Sequence, residues 1–304
     1  MNIKNMIKES IKKIFSELYV KQDQELLLLG GLHTQEVKKL EKIKSFEEIE
    51  FKVYSQWGED GIIQYLINKI NIEQKIFIEF GVQDYTESNT RFLLQNNNWS
   101  GLVLDGSKEA IEYVQSDNIS WRYDLTSKKA FITKDNINDL ISEYTNVIDI
   151  GILSVDIDGN DYWVWDAIKC IEPVIVIAEY NANFGAEHAI TIPYKSNFYR
   201  TNEHYSNLYY GASYQALKLL GEKKGYTLIG CNSNGNNMFF VKNKFSSKFR
   251  EIDESFSDSK FKEARDEKGA LLSLSKLNIT KLIGECTVYD IVNDRNILIK
   301  ELKV

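Results

Sequence analysis

Apolar and polar positions divide the chain into a central part that alternates two periodicities and two ends that do not. In the centre, Ile76-Phe77-Ile78-Glu79-Phe80 and Gly101-Leu102-Val103-Leu104 are near-continuous apolar runs of strand length between polar flanks. Runs of that kind read as parallel strands covered on both faces, and with a helix between them they make a βαβ unit. Further strands are expected at Ile119 to Tyr123, Ile150 to Val155 and Val174 to Ala178, the last being the purest β-branched run of the sequence. Ser213 to Lys224 reads as a helix closed by Gly225 at its C-terminal cap. Tyr226 to Gly230 and Met238 to Val241 flank a polar stretch containing Asn234-Gly235, which marks a turn between antiparallel neighbours. The expected architecture is α/β: a mostly parallel sheet with a terminal antiparallel hairpin.

The ends follow other patterns. Ile3, Ile7, Ile11, Ile14 and Leu18 recur at helical spacing while Lys4, Lys8, Lys12 and Lys13 fall elsewhere on the wheel, so residues 1–50 read as a helical N-terminal extension. Such a basic amphipathic helix can lie on a membrane, pair with a second copy in a homo-oligomer, or pack on its own domain. Residues 51–242 carry the alternating pattern of one domain. Residues 243–304 form a charged, helical C-terminal extension ending in short apolar stretches, and no role for it is legible.

Composition removes some classes. At 304 residues and 43% hydrophobic content the chain can bury a full-sized core. A net charge of -7 leaves no basic footprint for broad nucleic-acid binding. Cys170, Cys231 and Cys286 form no CxxC pair and are odd in number, which suits a reducing, cytoplasmic setting. No apolar run is long enough to span a bilayer, since Leu26 to Leu29 stops at Gly30-Gly31, and the N-terminus lacks the pattern of a signal peptide.

Candidate chemistry gathers at strand ends, where ligands of open parallel sheets bind. The first strand leads into Glu79-Phe80-Gly81 and the second into Asp105-Gly106-Ser107. A glycine lets a nucleoside meet bare backbone and an acid on the next strand can hold its ribose hydroxyls, so a nucleoside cofactor is expected. Strands four and five end in Asp156 and Glu179, near enough to share a hard cation such as Mg2+ or Mn2+, with Asn181 adding an oxygen. The same pair also fits a carboxylate that touches cofactor or substrate beside one that caps or pairs, or two acids sharing a proton. An isolated EF-hand fits less well: Asp156, Asp158 and Asn160 match its first ligand positions, but Asp161 stands where glycine is required and Ala167 where the bidentate glutamate belongs.

The order of these features, with Tyr54-Ser55-Gln56-Trp57-Gly58-Glu59-Asp60-Gly61 ahead of the first strand and Ser154-Val155-Asp156-Ile157-Asp158-Gly159-Asn160-Asp161-Tyr162 around the fourth, resembles a class I S-adenosylmethionine-dependent methyltransferase. Within that class it is most similar to the FkbM-like branch. The resemblance covers roughly the central two-thirds of the chain and implies a Rossmann-like methyltransferase fold with S-adenosylmethionine as cofactor. It places Gln56, Glu79, Gly81, Asp105, Ser107, Asp124 and Leu125 at that cofactor. Glu79 and Gly81 would border the methionine moiety, Asp105 would accept the ribose hydroxyls, and Asp124 would lie by the adenine. Asp105 and Asp124 equally suit helix caps. The sequence departs from the class at Val82-Gln83-Asp84, which replaces its glycine-rich turn. The implied reaction is O-methylation of a polar, hydroxyl-bearing small molecule, sugar-like or phosphorylated, linked to bacterial surface polysaccharide modification.

A hydroxyl that attacks a sulfonium methyl must lose its proton, which makes His188, in the loop after strand five, and Asp156, through a metal, the catalytic candidates. His188 also reads as an ordinary surface histidine. Tyr194, Phe198, Tyr199, Tyr205, Tyr209 and Tyr210 can stack on sugar rings or simply pack. Arg200 and Lys195 suit an anionic substrate or solvent. Two other classes stay open. Asp156-Ile157-Asp158 is a DxD, as metal-dependent glycosyltransferases use on a nucleotide diphosphate, and a non-catalytic protein can share the fold. A nicotinamide oxidoreductase is disfavoured, because Gly81-Val82-Gln83-Asp84 supplies no GxGxxG.

Overall fold

The computed structural model describes residues 3–302, the side chains of 3–17, 19, 276 and 277 excepted. The strands are β1 (Ile76–Phe80), β2 (Ser100–Asp105), β3 (Leu125–Lys129), β4 (Ile152–Val155), β5 (Ile175–Glu179), β6 (Ile190–Thr191), β7 (Tyr226–Cys231), β8 (Asn237–Lys242), β9 (Thr287–Asp290) and β10 (Arg295–Leu298). Seven of them form one sheet in the order β3-β2-β1-β4-β5-β8-β7. The first five run parallel, and β8 lies antiparallel to both β5 and β7. This is the mostly parallel sheet with a closing hairpin that the apolar pattern predicts, Rossmann-like as the resemblance implies, and its order reverses between β1 and β4, the kind of position at which open α/β sheets bind ligands.

The helices are α1 (Ile3–Lys39), α2 (Glu59–Lys69), α3 (Arg91–Asn97), α4 (Lys108–Ser116), α5 (Ile119–Arg122), α6 (Ile137–Ser142), α7 (Asp161–Ala167), α8 (Arg200–Glu203), α9 (Tyr214–Lys223) and α10 (Lys276–Leu282). Successive strand residues point to opposite faces. Phe77, Val103, Ile152 and Ile177 therefore pack with Ile63 and Leu66 of α2, Leu94 of α3 and Val114 of α4. Ile78, Leu104, Leu153 and Val176 pack with Ile141 of α6, Trp165 of α7 and Leu217 of α9. Helices thus cover both faces, which is why the strand runs are apolar without alternation.

The third strand departs from expectation. Ile119 to Tyr123, expected as a strand, holds the short helix α5, started by Asp117, whose carboxylate accepts the Ile119 N–H at 3.0 Å. The strand follows at Leu125–Lys129 and is polar because it is the sheet's edge. Parallel pairing sets Leu125 opposite Gly101 and Lys129 opposite Asp105.

At the N-terminus α1 runs unbroken for 37 residues, in keeping with the expected helical extension. Thr34 and Val37 are buried on the domain, whereas Leu28 and Leu32 are 71% and 65% exposed in the single chain. The apolar repeat from Ile3 to Ile14 lies outside the described side chains. No helix among the described residues is long and apolar enough to cross a membrane. At the C-terminus only a 3-10 turn forms over Asn243–Phe249, in place of the expected helical segment. An irregular strap then crosses the domain to α10, β9 and β10, and β9 joins β6 and β10 in a second, three-stranded sheet.

Candidate functional site

Carboxyl ends of β2, β1, β4 and β5 lie side by side in a row about 14 Å long, given the spacing of adjacent strands. Asp105 stands at the β2 end, 9% exposed. Its two oxygens accept the N–H groups of Gln83 and Ser107, each at 2.7 Å, which ties the loop after β1 to the start of α4. A carboxylate has about four acceptor sites, so Asp105 keeps capacity for two more donors. A cavity of about 440 Å3 opens against it, lined also by Ser107, Glu109 and Tyr113. Ser107 itself is the N-cap of α4, accepting the Ala110 N–H at 3.1 Å.

Gly81 has φ +71°, and a Cβ there would sit 1.8 Å from the Asp156 carbonyl oxygen. The glycine therefore lets the ends of β1 and β4 touch, which brings the acid of the fourth strand into the row. Glu79 is buried and turns toward the loop that enters α3, accepting the N–H groups of Asn89 at 2.8 Å and Thr90 at 3.1 Å together with the Thr90 hydroxyl. Burial outweighs those bonds and pushes its pKa up to about 7.

The Tyr54-to-Gly61 segment is a knot of backbone donors around two acids. Asp60 takes the N–H groups of Val53, Tyr54 and Ser55 on one oxygen, at 2.7 to 2.9 Å. Its other oxygen is buried without a partner, and burial raises its pKa to about 6. Glu59 accepts from Trp57 and Gly58 and, through its second oxygen, from the amides of Asn232 and Asn237 in the β7–β8 hairpin. Gln56 is left exposed on this loop, its amide 3.5 Å from Asn236.

At the ends of β4 and β5 the acids converge. Oxygens of Asp156, Asp158 and Glu179 lie within 4.8 Å of one another. Glu179 is 8% exposed and its Oε2 has no hydrogen-bond partner. Burial, and then the neighbouring carboxylates, push Asp156 and Glu179 well above the ordinary carboxylate range. Asp161 beside them is held by the N–H groups of Ile157 and Gly159, and burial raises it to about 6. Arg200 is the balancing cation: it pairs with Asp158 at 2.6 Å and with Glu263, donates to the Asn207 carbonyl, and lies over the Tyr210 ring at 3.5 Å.

Glu263 comes from the C-terminal strap, to which the sequence gives no role. The strap is fastened across the carboxyl ends: Tyr180 donates to the Ser257 carbonyl, Phe261 stacks on Trp57 at 5.6 Å, and Arg265 N–H reaches the Ser206 carbonyl. Phe261→Ala is expected to lower stability by about 1 kcal/mol and to speed limited proteolysis between 253 and 265. Unchanged cleavage would mean that the stack does not hold the strap.

Several expectations need correction. Asp124 and Leu125 precede β3 and open it, at the opposite end of the sheet from Asp105, so they do not join this row. Phe131 lies just past the carboxyl end of β3, 3.7 Å from where a Gly106 Cβ would lie. Asn181, expected to add an oxygen beside Asp156 and Glu179, is engaged within its own loops on both sides of its amide. Its amide donates to the Leu208 and Tyr210 carbonyls and its oxygen caps the turn at Asn183, so Asp158 is the third group within reach. His188 lines a cavity of about 280 Å3 with Gln215, Leu219 and Asp290, and none of the three acids lines it. Phe198, Tyr209 and Tyr210 are core residues, while Tyr199 and Tyr205 are exposed, Tyr205 stacking on His204. Lys195 pairs with Glu203.

No family's sequence profile matches this chain, and no curated protein does. Solved structures similar to it include a putative caffeoyl-CoA O-methyltransferase from Staphylococcus aureus, at 12% identity and TM-score 0.43, covering 76% of this chain and 98% of that one. An O-methyltransferase from Bacillus cereus in complex with SAH is 13% identical, with TM-score 0.38 over 60% of this chain and 79% of its own. The N-terminal domain of EvdMO1, crystallised in the presence of SAH and D-fucose, is 8% identical, with TM-score 0.39 over 60% and 80%. These similarities are distant, and the chemistry rests on the residues of this chain.

Proposed function

We propose that this chain is an S-adenosylmethionine-dependent O-methyltransferase of the FkbM-like kind, with residues 51–242 as the catalytic unit and the two ends as attachments. The observation that supports this most is the row itself: a ribose-type acid with free acceptor capacity at Asp105 stands next to a glycine-opened strand end at Gly81, which in turn meets the backbone of Asp156, one of three convergent acids. Asp105, Ser107, Gly81 and the Gln83 backbone fit a nucleoside. Phe131 offers an apolar surface for a base, and Glu79 and Gln56 lie on the side where the amino-acid end would extend. The cofactor supplies the transferable methyl group.

Asp156, Asp158 and Glu179 fit Mg2+ or Mn2+, a hard cation that takes carboxylate oxygens and would relieve their repulsion. Bound there, it would acidify an acceptor hydroxyl and fix its position. With His188 in another cavity, Asp156 is the better candidate to receive the proton. The acceptor is a polar hydroxyl-bearing molecule, and the exposed Tyr199, next in sequence to the Arg200 that pairs with Asp158, suits a sugar-like ring. A DxD glycosyltransferase is the second reading, favoured by one fact: Asp156 and Asp158 do meet.

Thermal-shift measurements with S-adenosylhomocysteine, UDP-glucose plus Mn2+, and NAD separate these readings, because only a ligand of the native state raises the melting temperature. S-adenosylhomocysteine at about a hundred times its Kd is expected to add about 2.7 kcal/mol. A shift with UDP-glucose and none with S-adenosylhomocysteine would replace the methyltransferase by the transferase of sugars.

A further inference from the structure

α1 has two long faces, and the domain takes one of them. Gly30, Thr34 and Val37 are buried, and a Cβ on Gly30 would lie 2.4 Å from a Val53 methyl, so the helix is pressed on the domain along that line. Residues two positions earlier point almost the opposite way, about 200° around an α-helix. Leu28, Leu32 and Gln35 stand there, and the line runs back through Glu25, Lys21 and Leu18, every one of them exposed. In the sequence the same alternating step of three and four residues continues to Ile14, Ile11 and Ile7. This is the seven-residue repeat of a coiled coil, interrupted by charge only at Lys21 and Glu25.

The two charges select the partner and its direction. A parallel copy in the same register would set Lys21 against Lys21 and Glu25 against Glu25. An antiparallel copy, turned about the midpoint between these residues, sets Lys21 opposite Glu25 twice over. The same turn places Leu18 opposite Leu28 on both sides of that centre, and position 14 opposite position 32, so apolar layers meet apolar layers. A lipid surface fits less well, because a membrane-lying helix keeps its charges off the apolar face and these two stand in the middle of it. The domain is held on the far side of each helix, against its C-terminal half, so two copies paired this way carry their domains at opposite ends.

We propose that the exposed face of α1 joins two copies of this chain in an antiparallel coiled coil centred between Lys21 and Glu25. Leu18, Leu28 and Leu32, which are 55%, 71% and 65% exposed in the single chain, are covered by the second copy. The central charges fix the register, as polar residues in a coiled-coil seam do. This interface stands whatever ligand the row takes.

Sedimentation equilibrium on the full chain tests this, with a dimer as the expected species. Lys21→Glu and Glu25→Lys each make the four central charges alike, and each is expected to raise the dimer Kd about thirtyfold. An equal mixture of the two variants restores both opposite-charge pairs and should dimerise about as tightly as the parent chain. Both positions are exposed in the single chain, so the melting temperature of the domain should stay as it is. A full chain that is monomeric at about 100 µM overturns the proposal, and binding of that monomer to phosphatidylserine vesicles would give the face to a membrane instead. Dimers that ignore both substitutions overturn it as well, since a parallel pair has like charges facing before and after either change. A mixture that stays monomeric removes the pairing of Lys21 with Glu25.

Discussion

Acidifying the solution from pH 8 to pH 5 is expected to stabilise the ligand-free protein. Seven acids cause this: Glu79, Asp60, Asp161, Asp156, Glu179, Glu50 and Glu263 all have pKa values raised by burial. In the unfolded chain these groups ionise near pH 4. In the folded chain Asp60 and Asp161 hold their protons up to about pH 6 and Glu79 up to about 7. Between those limits the native state binds more protons than the unfolded state, so the free energy of unfolding falls as pH rises. Glu79 alone, raised from 4.5 to about 7, corresponds to a penalty on the order of 3 kcal/mol at pH 8. His204, whose pKa burial lowers, works in the other direction.

A divalent cation on Asp156, Asp158 and Glu179 should replace the proton in that cluster. Mn2+ is then expected to raise stability at pH 8 and to do much less at pH 5, where the carboxyls are protonated. Glu179→Gln should flatten part of the pH slope and remove most of the Mn2+ response. Urea unfolding at pH 5, 6, 7 and 8, with Mn2+ or EDTA, gives all of this in one series. Stability that is flat or rising from pH 5 to 8 would mean that these acids are solvated. A slope without a Mn2+ response would leave the proton sharing and remove the metal.

Strands covered on both faces were legible because burial leaves no choice but a continuous apolar run. β1, β2, β4 and β5 lie within two residues of where that pattern puts them. β3 was not, because an edge strand needs charges on its open side and Leu125-Thr126-Ser127-Lys128-Lys129 carries them. That one shift moved Asp124 from the ligand end of the sheet to the other. Asp105 and Asp156 were legible because a strand's last residue is fixed once the strand is. Asn181 was near the right place, but the direction of its amide depends on carbonyls at 208 and 210, which no local pattern reveals. Glu263 and Arg200 meet only through the irregular strap. Their signal was a charged segment among many.

Asp105→Ala should weaken S-adenosylhomocysteine binding by about thirtyfold or more, the 2 to 4 kcal/mol of a bidentate, charge-assisted contact to two hydroxyls. The carboxylate also holds Gln83 and Ser107, so alanine removes ligand contacts and loosens two loops at once. Asp105→Asn separates these effects. Its oxygen can still accept one of the two N–H groups and its amide can still meet one ribose hydroxyl, so it should lie between alanine and the parent chain in affinity while keeping most of the stability. If both variants lose stability equally and neither loses affinity, Asp105 is a loop clamp and the nucleoside binds elsewhere. If alanine loses affinity and its melting temperature stays within a few degrees of the parent, the acid at the end of β2 touches the ligand. The glycine-opened end of β1 and the acids beyond it are then one site in a single row.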